Sequence, residues 1–105
     1  RKKFREAADF MEKAATGMPH RARVHYNLGL VLNHLNRFEK AETALLEAHR
    51  LEPDTFDFLH ALADFYVKRE KPAEAEKYAR QIMEKHPSWP YGKQLLDLTI
   101  RSGPK

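Results

Sequence analysis

The chain contains no cysteine. That excludes disulfides, a thiolate nucleophile and any cysteine-based metal site, though it does not choose between a reducing and an oxidising compartment. Glycine is also scarce, with four in 105 residues, and none of the four builds a phosphate-cradling loop. Neither a nucleophile elbow nor an HExxH pattern occurs. No uncharged apolar run approaches the length of about 20 residues that spans a bilayer, and no signal peptide is visible. A strong single-sign charge is missing as well. Residues 1–37 carry eight basic and three acidic groups, residues 38–74 five and nine, and residues 75–105 six and three. An acidic middle between two mildly basic ends is a poor footprint for a phosphate backbone, so no nucleic-acid partner is expected. No catalytic constellation, cofactor motif or metal-ligand spacing stands out. The expectation is a non-catalytic, soluble chain without cofactor or integral membrane segment, cytoplasmic in preference to periplasmic. Because it opens on "RKKF" without an initiator methionine, a processed or excised segment is also expected.

What is present is a repeat. Shifted by 34 positions, Leu28 meets Leu62 and Leu96, Gly29 meets Ala63, and Leu32 meets Tyr66 and Ile100. Ala7, Ala41 and Ala75 fall in register, as do Ala14, Ala48 and Ile82, and Pro19, Pro53 and Pro87. A fixed period of this length is the mark of a helical array in which each unit buries its apolar stripe against its neighbours.

The punctuation gives the helices. The first covers about 3–16 and stops at Gly17, a natural C-cap residue, with Pro19 close behind. The second covers about 22–35, and Asn36-Arg37 forms the turn. The third covers about 38–51 and is closed by Pro53. Asp54 or Thr55 caps a fourth over about 56–69. Pro72 suits the first turn of a fifth, where its missing N–H loses nothing, and that helix ends before Pro87. Ser88 can cap a sixth, starting near Trp89 and filling 90–101. A small residue where two helices meet lets them approach closely, which is the role read for Gly29, Ala41, Ala63 and Ala75.

The residues "NLG" (Asn27 to Gly29), Leu32 and "FEKAETALLEAHRLEPD" (Phe38 to Asp54) resemble a tetratricopeptide repeat. So does the copy from Phe56 to Trp89, with Leu62, Ala63, Tyr66, Ala75 and Pro87. The resemblance implies an all-α fold: a right-handed α-solenoid of antiparallel helix pairs. It divides the chain, as one domain over 1–105, into a helix at 3–16, repeats at 22–55 and 56–89, and a C-terminal capping helix at 90–101. The family's bulky aromatic early in the first helix of each pair is absent; His25, Leu59 and Lys93 stand there. Asp97, at the Gly29/Ala63 position, is read as a solvent-facing residue of a terminal helix, because a carboxylate needs a partner in a tight contact.

The resemblance implies a peptide or protein partner held in a concave groove lined by the first helix of each pair. Carried over by position, the second helix offers Arg23, Tyr26, Asn27, Leu30, Asn33 and His34. The fourth offers Asp57, His60, Ala61, Asp64, Val67 and Lys68, and the sixth Tyr91, Gln94, Leu98 and Arg101. Only Asn27 matches the subfamily that clamps a C-terminal carboxylate, so such a clamp is not expected. Asp57, His60 and Asp64 form a column that could in principle ligate a metal or move a proton. Asp–His neighbours at this spacing are ordinarily helix-surface pairs, and zinc would need three or four converging ligands. Phe4, Ala7, Met11 and Ala14 form a stripe on the first helix that lacks a covering helix. Two outcomes are open: further repeats before Arg1, making this the C-terminal part of a longer array, or self-association through Phe4 and Met11. The alternatives to a binding scaffold are that self-assembly and a setting as accessory domain of an enzyme whose catalytic part lies outside this chain.

Overall fold

The computed structural model describes residues 2–101. Among them are six helices: α1 (Lys2–Gly17), α2 (Ala22–His34), α3 (Phe38–Leu51), α4 (Phe56–Lys68), α5 (Pro72–Lys85) and α6 (Gly92–Arg101). They form two compact units, Arg1–Pro53 and Asp54–Lys105. In the first, α2 packs on both α1 and α3; in the second, α5 packs on both α4 and α6.

Each hairpin turns in the same way. The last residues of α2 and α4 are followed by a non-glycine residue in the left-handed region, Asn36 at φ 62° and Glu70 at φ 58°. That conformation folds the chain back so that freed carbonyls are met. Arg37 N donates to Leu32 O at 2.9 Å and Asn36 N to Asn33 O at 3.0 Å; Lys71 N donates to Tyr66 O at 2.9 Å and Glu70 N to Val67 O at 3.1 Å. This is the Schellman pattern, repeated at the 34-residue period. Asparagine visits the left-handed region readily, whereas glutamate pays a steric penalty from its β-carbon.

The first unit is held by a contact that needs a missing side chain. A β-carbon added at Gly29 would stand 2.7 Å from both Cγ and Cδ2 of Leu45 and 3.3 Å from the carbonyl of Ala41. Leu45 is buried and cannot swing away. One repeat later the same two positions hold Ala63 and Ala79, both fully buried. The first copy thus pairs nothing with leucine, and the second pairs methyl with methyl. The rest of the first core is small: Ala8, Ala22, Ala41, Ala44 and Ala48 with Leu28 and Leu32. The second is larger, built on Phe58, Leu59, Leu62, Phe65, Tyr66 and Ile82. Each fully buried side chain of that size contributes on the order of 1.5–3 kcal/mol. Thr99 is also fully buried, and its hydroxyl donates to Leu96 O at 2.7 Å, so no donor is left unmet.

Several expectations are corrected. Gly17 is the last residue of α1, not a left-handed cap beyond it; no glycine among the described residues has a positive φ. The ladder simply runs one step further, with Met18 N on Ala14 O at 2.8 Å, before Pro19 intervenes. Helix α6 begins at Gly92, not near Trp89. Pro90 disfavours helical backbone at Trp89, and Trp89 N instead closes a turn on His86 O at 3.1 Å. Ser88 therefore caps nothing. Thr55 does stand at the N-cap of α4, but its side chain makes no capping hydrogen bond. Ile100, in register with buried Leu32 and Tyr66, is 56 % exposed. Asp97 is exposed, as expected. The α1 stripe is partly covered: Phe4 rests on His34 of α2 with ring centroids 3.9 Å apart, and Ala7, Met11 and Ala14 are half-buried.

Two stability outcomes follow. Gly29→Ala gains about 1 kcal/mol of helix propensity but overpacks Leu45 at a cost of about 1–3 kcal/mol, so a net loss is expected. Leu45→Ala empties buried volume and by itself costs about 2–5 kcal/mol, but with Gly29→Ala it recreates the second copy's pair, so the double change should cost less than the sum of the two single changes. A denaturant double-mutant cycle with no favourable coupling between the two changes would refute the contact. Separately, Glu70→Gly should raise stability by about 0.5–1 kcal/mol, more than Asn36→Gly does. The reverse order in urea midpoints would mean the turn strain is misassigned.

Candidate functional site

The elements that pack α2 leave one stripe of it in water. Ala22, Leu28, Gly29 and Leu32 are buried, while Arg23, Asn27, Leu30 and His34 are exposed at spacings of four, three and four. Such spacing puts them on one helical face. Leu30 is 42 % exposed at the centre of this stripe. Tyr26 and Asn33 are half-buried along its edge. The Arg23 guanidinium lies 5.1 Å from the Tyr26 ring centroid, which fixes the aromatic's outer face beside a cation. His34 is held by Phe4. The first-unit part of the expected set is thus brought together on one element, with an apolar centre and hydrogen-bonding groups on both sides.

In the second unit the expected residues separate into two groups. Asp64 pairs with Lys68 at 3.1 Å, an exposed i,i+4 ion pair. His60 turns instead to the aromatics. Its ring stacks on Phe56 at 5.5 Å and meets Trp89 edge-on at 5.5 Å. Asp57 and Lys68 are exposed. The Asp57/His60/Asp64 column is therefore divided between an ion pair and a ring stack. Among the described residues, no three His, Asp or Glu side chains converge as a metal site would require. On α6 and the turn before it, Gln94, Leu98 and Tyr91 are exposed; the Arg101 side chain lies outside the described residues.

Sequence reasoning missed an aromatic cluster that ties the start of α4 to the segment after α5. Phe56 meets Trp89 at 5.1 Å and His86 at 5.5 Å, and Trp89 meets Tyr91 at 5.9 Å. His86 Nε2 lies 2.6 Å from the backbone carbonyl of Asp54. A carbonyl only accepts, so Nε2 carries the proton. The signal was present in the dense aromatic and histidine content of 86–91, but nothing local says that Phe56 receives it.

A cleft of about 590 Å³ on the first unit was missed too. Helices α1 and α3 form its walls through Glu12, Thr16, Thr43 and Glu47, and α2 its floor through Leu28 and Leu32. His25 reaches its end, with Nε2 3.0 Å from Pro19 O. Arg50 holds Glu47 through two contacts of 2.9 and 2.6 Å. That hydrogen bond, ahead of the Coulomb attraction of the same guanidinium, keeps the Glu47 carboxyl below its ordinary range.

Antiparallel helix pairs at a 34-residue period, each closed by the same left-handed turn, define a helical-repeat protein. The chain belongs to the tetratricopeptide-repeat family, whose family model matches residues 1–55. Repeats of this family generally mediate protein–protein interaction and are typically non-catalytic. A search of curated proteins finds no match to the chain. No helix among the described residues is long and apolar enough to cross a membrane.

The cluster around Trp89 gives a test. Trp89→Ala removes contacts to three rings at once and should lower stability by about 2 kcal/mol, while Trp89→Phe should retain most of it. Thermal melts by circular dichroism that cannot tell the two variants apart would show that the cluster is ornamental.

Proposed function

We propose that the chain is a non-catalytic binding module that holds an extended or helical peptide of a partner protein along the exposed face of α2. The observation that carries this reading is Leu30, exposed between Asn27 and His34 with Tyr26 alongside. An isolated exposed leucine has no meaning by itself. Here it sits within a row of amide, imidazole, phenol and guanidinium groups that can meet a peptide's backbone and side chains. Within the second unit, Asp57, His60, Asp64, Lys68, Tyr91 and Gln94 give α4, α6 and the turn before α6 recognition groups of their own. The Asp64–Lys68 pair makes the α4 face near neutral, which disfavours selection for a strongly charged tail.

A peptide array probed with the full chain tests this. Bound sequences should lose about tenfold or more in affinity on Leu30→Glu, and several-fold on Tyr26→Ala. Binding unchanged by either, and by Asp64→Lys, would move the site elsewhere.

A second reading is favoured by α1. Phe10 is 72 % exposed and Phe4 40 % exposed, an apolar end that a second copy could cover. Light scattering across a concentration series then shows a dimer that Phe4→Glu, Met11→Glu or Phe10→Glu dissolves. A monomer at every concentration removes this reading and leaves the first intact.

A further inference from the structure

The two copies differ at the cleft of the first unit in a way that specifies what belongs there. Shifted by 34, Leu32, Thr43 and Ala44 become Tyr66, Lys77 and Tyr78. In the second copy the rings of Tyr66 and Tyr78 stack, with centroids 5.9 Å apart and planes 11° from parallel. Both are buried. Lys77 Nζ lies 5.4 Å from the Tyr78 ring centroid. The second copy therefore fills these positions with its own phenol ring and places an ammonium over it. The first copy has only a methyl group and a threonine there, and beside them an apolar-floored cleft of about 590 Å³, a volume in the range of ligand sites.

The cleft's polar groups are mostly acceptors. Thr16 Oγ1 donates to Glu12 O at 3.0 Å and Thr43 Oγ1 to Glu39 O at 3.1 Å. Each hydroxyl has one proton, so what it offers the cleft is lone pairs. His25, with its Nε2 proton on Pro19 O, has only an acceptor nitrogen left when neutral. Glu12 and Glu39 line the cleft as carboxylates, and Glu47 is already engaged by Arg50. Lys40 is the one cation among the lining residues. An occupant that covers these acceptors without supplying donors would strand them.

We propose that this cleft receives an aromatic side chain together with an adjacent lysine or arginine from a partner protein: the ring over Leu32 and Ala44, the cation toward Glu12 and Glu39. This docking site is separate from the α2 stripe, since none of its residues lies on that stripe, and it stands or falls independently.

The probe is the dipeptide acetyl-Lys-Tyr-amide, titrated into the isotopically labelled 105-residue chain and followed by NMR. Saturable shifts are expected at the methyl groups of Leu28, Leu32 and Ala44, with a dissociation constant on the order of 1 mM for so small a ligand. Acetyl-Glu-Tyr-amide should bind at least about fivefold more weakly, because its carboxylate meets acceptors. Ala44→Tyr, which installs the second copy's ring, should abolish the cleft shifts. If circular dichroism shows that this variant does not fold, the surface pair Glu12→Lys with Glu39→Lys replaces it and should weaken binding by at least about fivefold. The proposal is overturned by absent cleft shifts, by equal affinity for the two dipeptides, or by undiminished binding in the folded variants. Tyramine binding more than about tenfold tighter than the dipeptide would mark a small-molecule site and overturn the protein-partner assignment.

Discussion

Leu45 lies where a side chain on residue 29 would have to begin, with two of its carbons 2.7 Å from that point. The first unit depends on this interaction. Helix α2 reaches α3 closely enough to share a core only because one of its residues stops at the α-carbon. A core made largely of alanine and leucine has few large side chains to bridge a gap, so wider separation would leave cavities along the whole contact. The turn at Asn36 serves the same end. Its left-handed backbone sends α3 straight back along α2 and meets the carbonyls that a looser connection would leave to water. The second unit reaches the same arrangement by other means, dividing the volume evenly between two alanines.

That close packing decides which surfaces are left for recognition. Because α2 spends its small and branched residues on both neighbours, its remaining face is a narrow row running from Arg23 to His34. On the other side, α1 and α3 flank α2 and leave a valley whose floor is as shallow or deep as the side chains at positions 32 and 44 allow. Leucine and alanine leave a cleft of about 590 Å³ there. Recognition surfaces of both kinds are therefore by-products of how the core volume is distributed, and neither requires a change in the backbone.

Much of this was legible in the sequence. Prolines at a fixed interval, alanines at contact positions and an apolar stripe on each segment gave the helices, the pairing and the family. The α2 stripe followed from the family resemblance carried over by position, and helical periodicity puts its residues on one face. What was not legible was set by contacts between distant positions or by backbone conformation without a composition signal. Glutamate carries no preference for the left-handed region, so Glu70 gave no sign that it repeats the geometry of Asn36. The start of α6 was misplaced because Pro90 acts on Trp89, the residue before it, and that restraint outweighed a plausible serine cap. Trp89 and Phe56 are neighbours across more than thirty residues of chain, which no local pattern encodes. The cleft is a different case. It is made of volume that is absent, and comparing Ala44 with Tyr78 at the repeat period would have exposed it.

The aromatic cluster also has a spectroscopic consequence. The chain has a single tryptophan, and it lies in the second unit against Phe56 and His60. Its emission therefore reports on that unit alone, while the amide circular dichroism sums every helix. Unfolding curves that coincide by the two signals mean that both units melt as one; curves that part mean that the array comes undone one unit at a time. The molecule is thus equipped to reveal how far its cooperativity extends, without any added label.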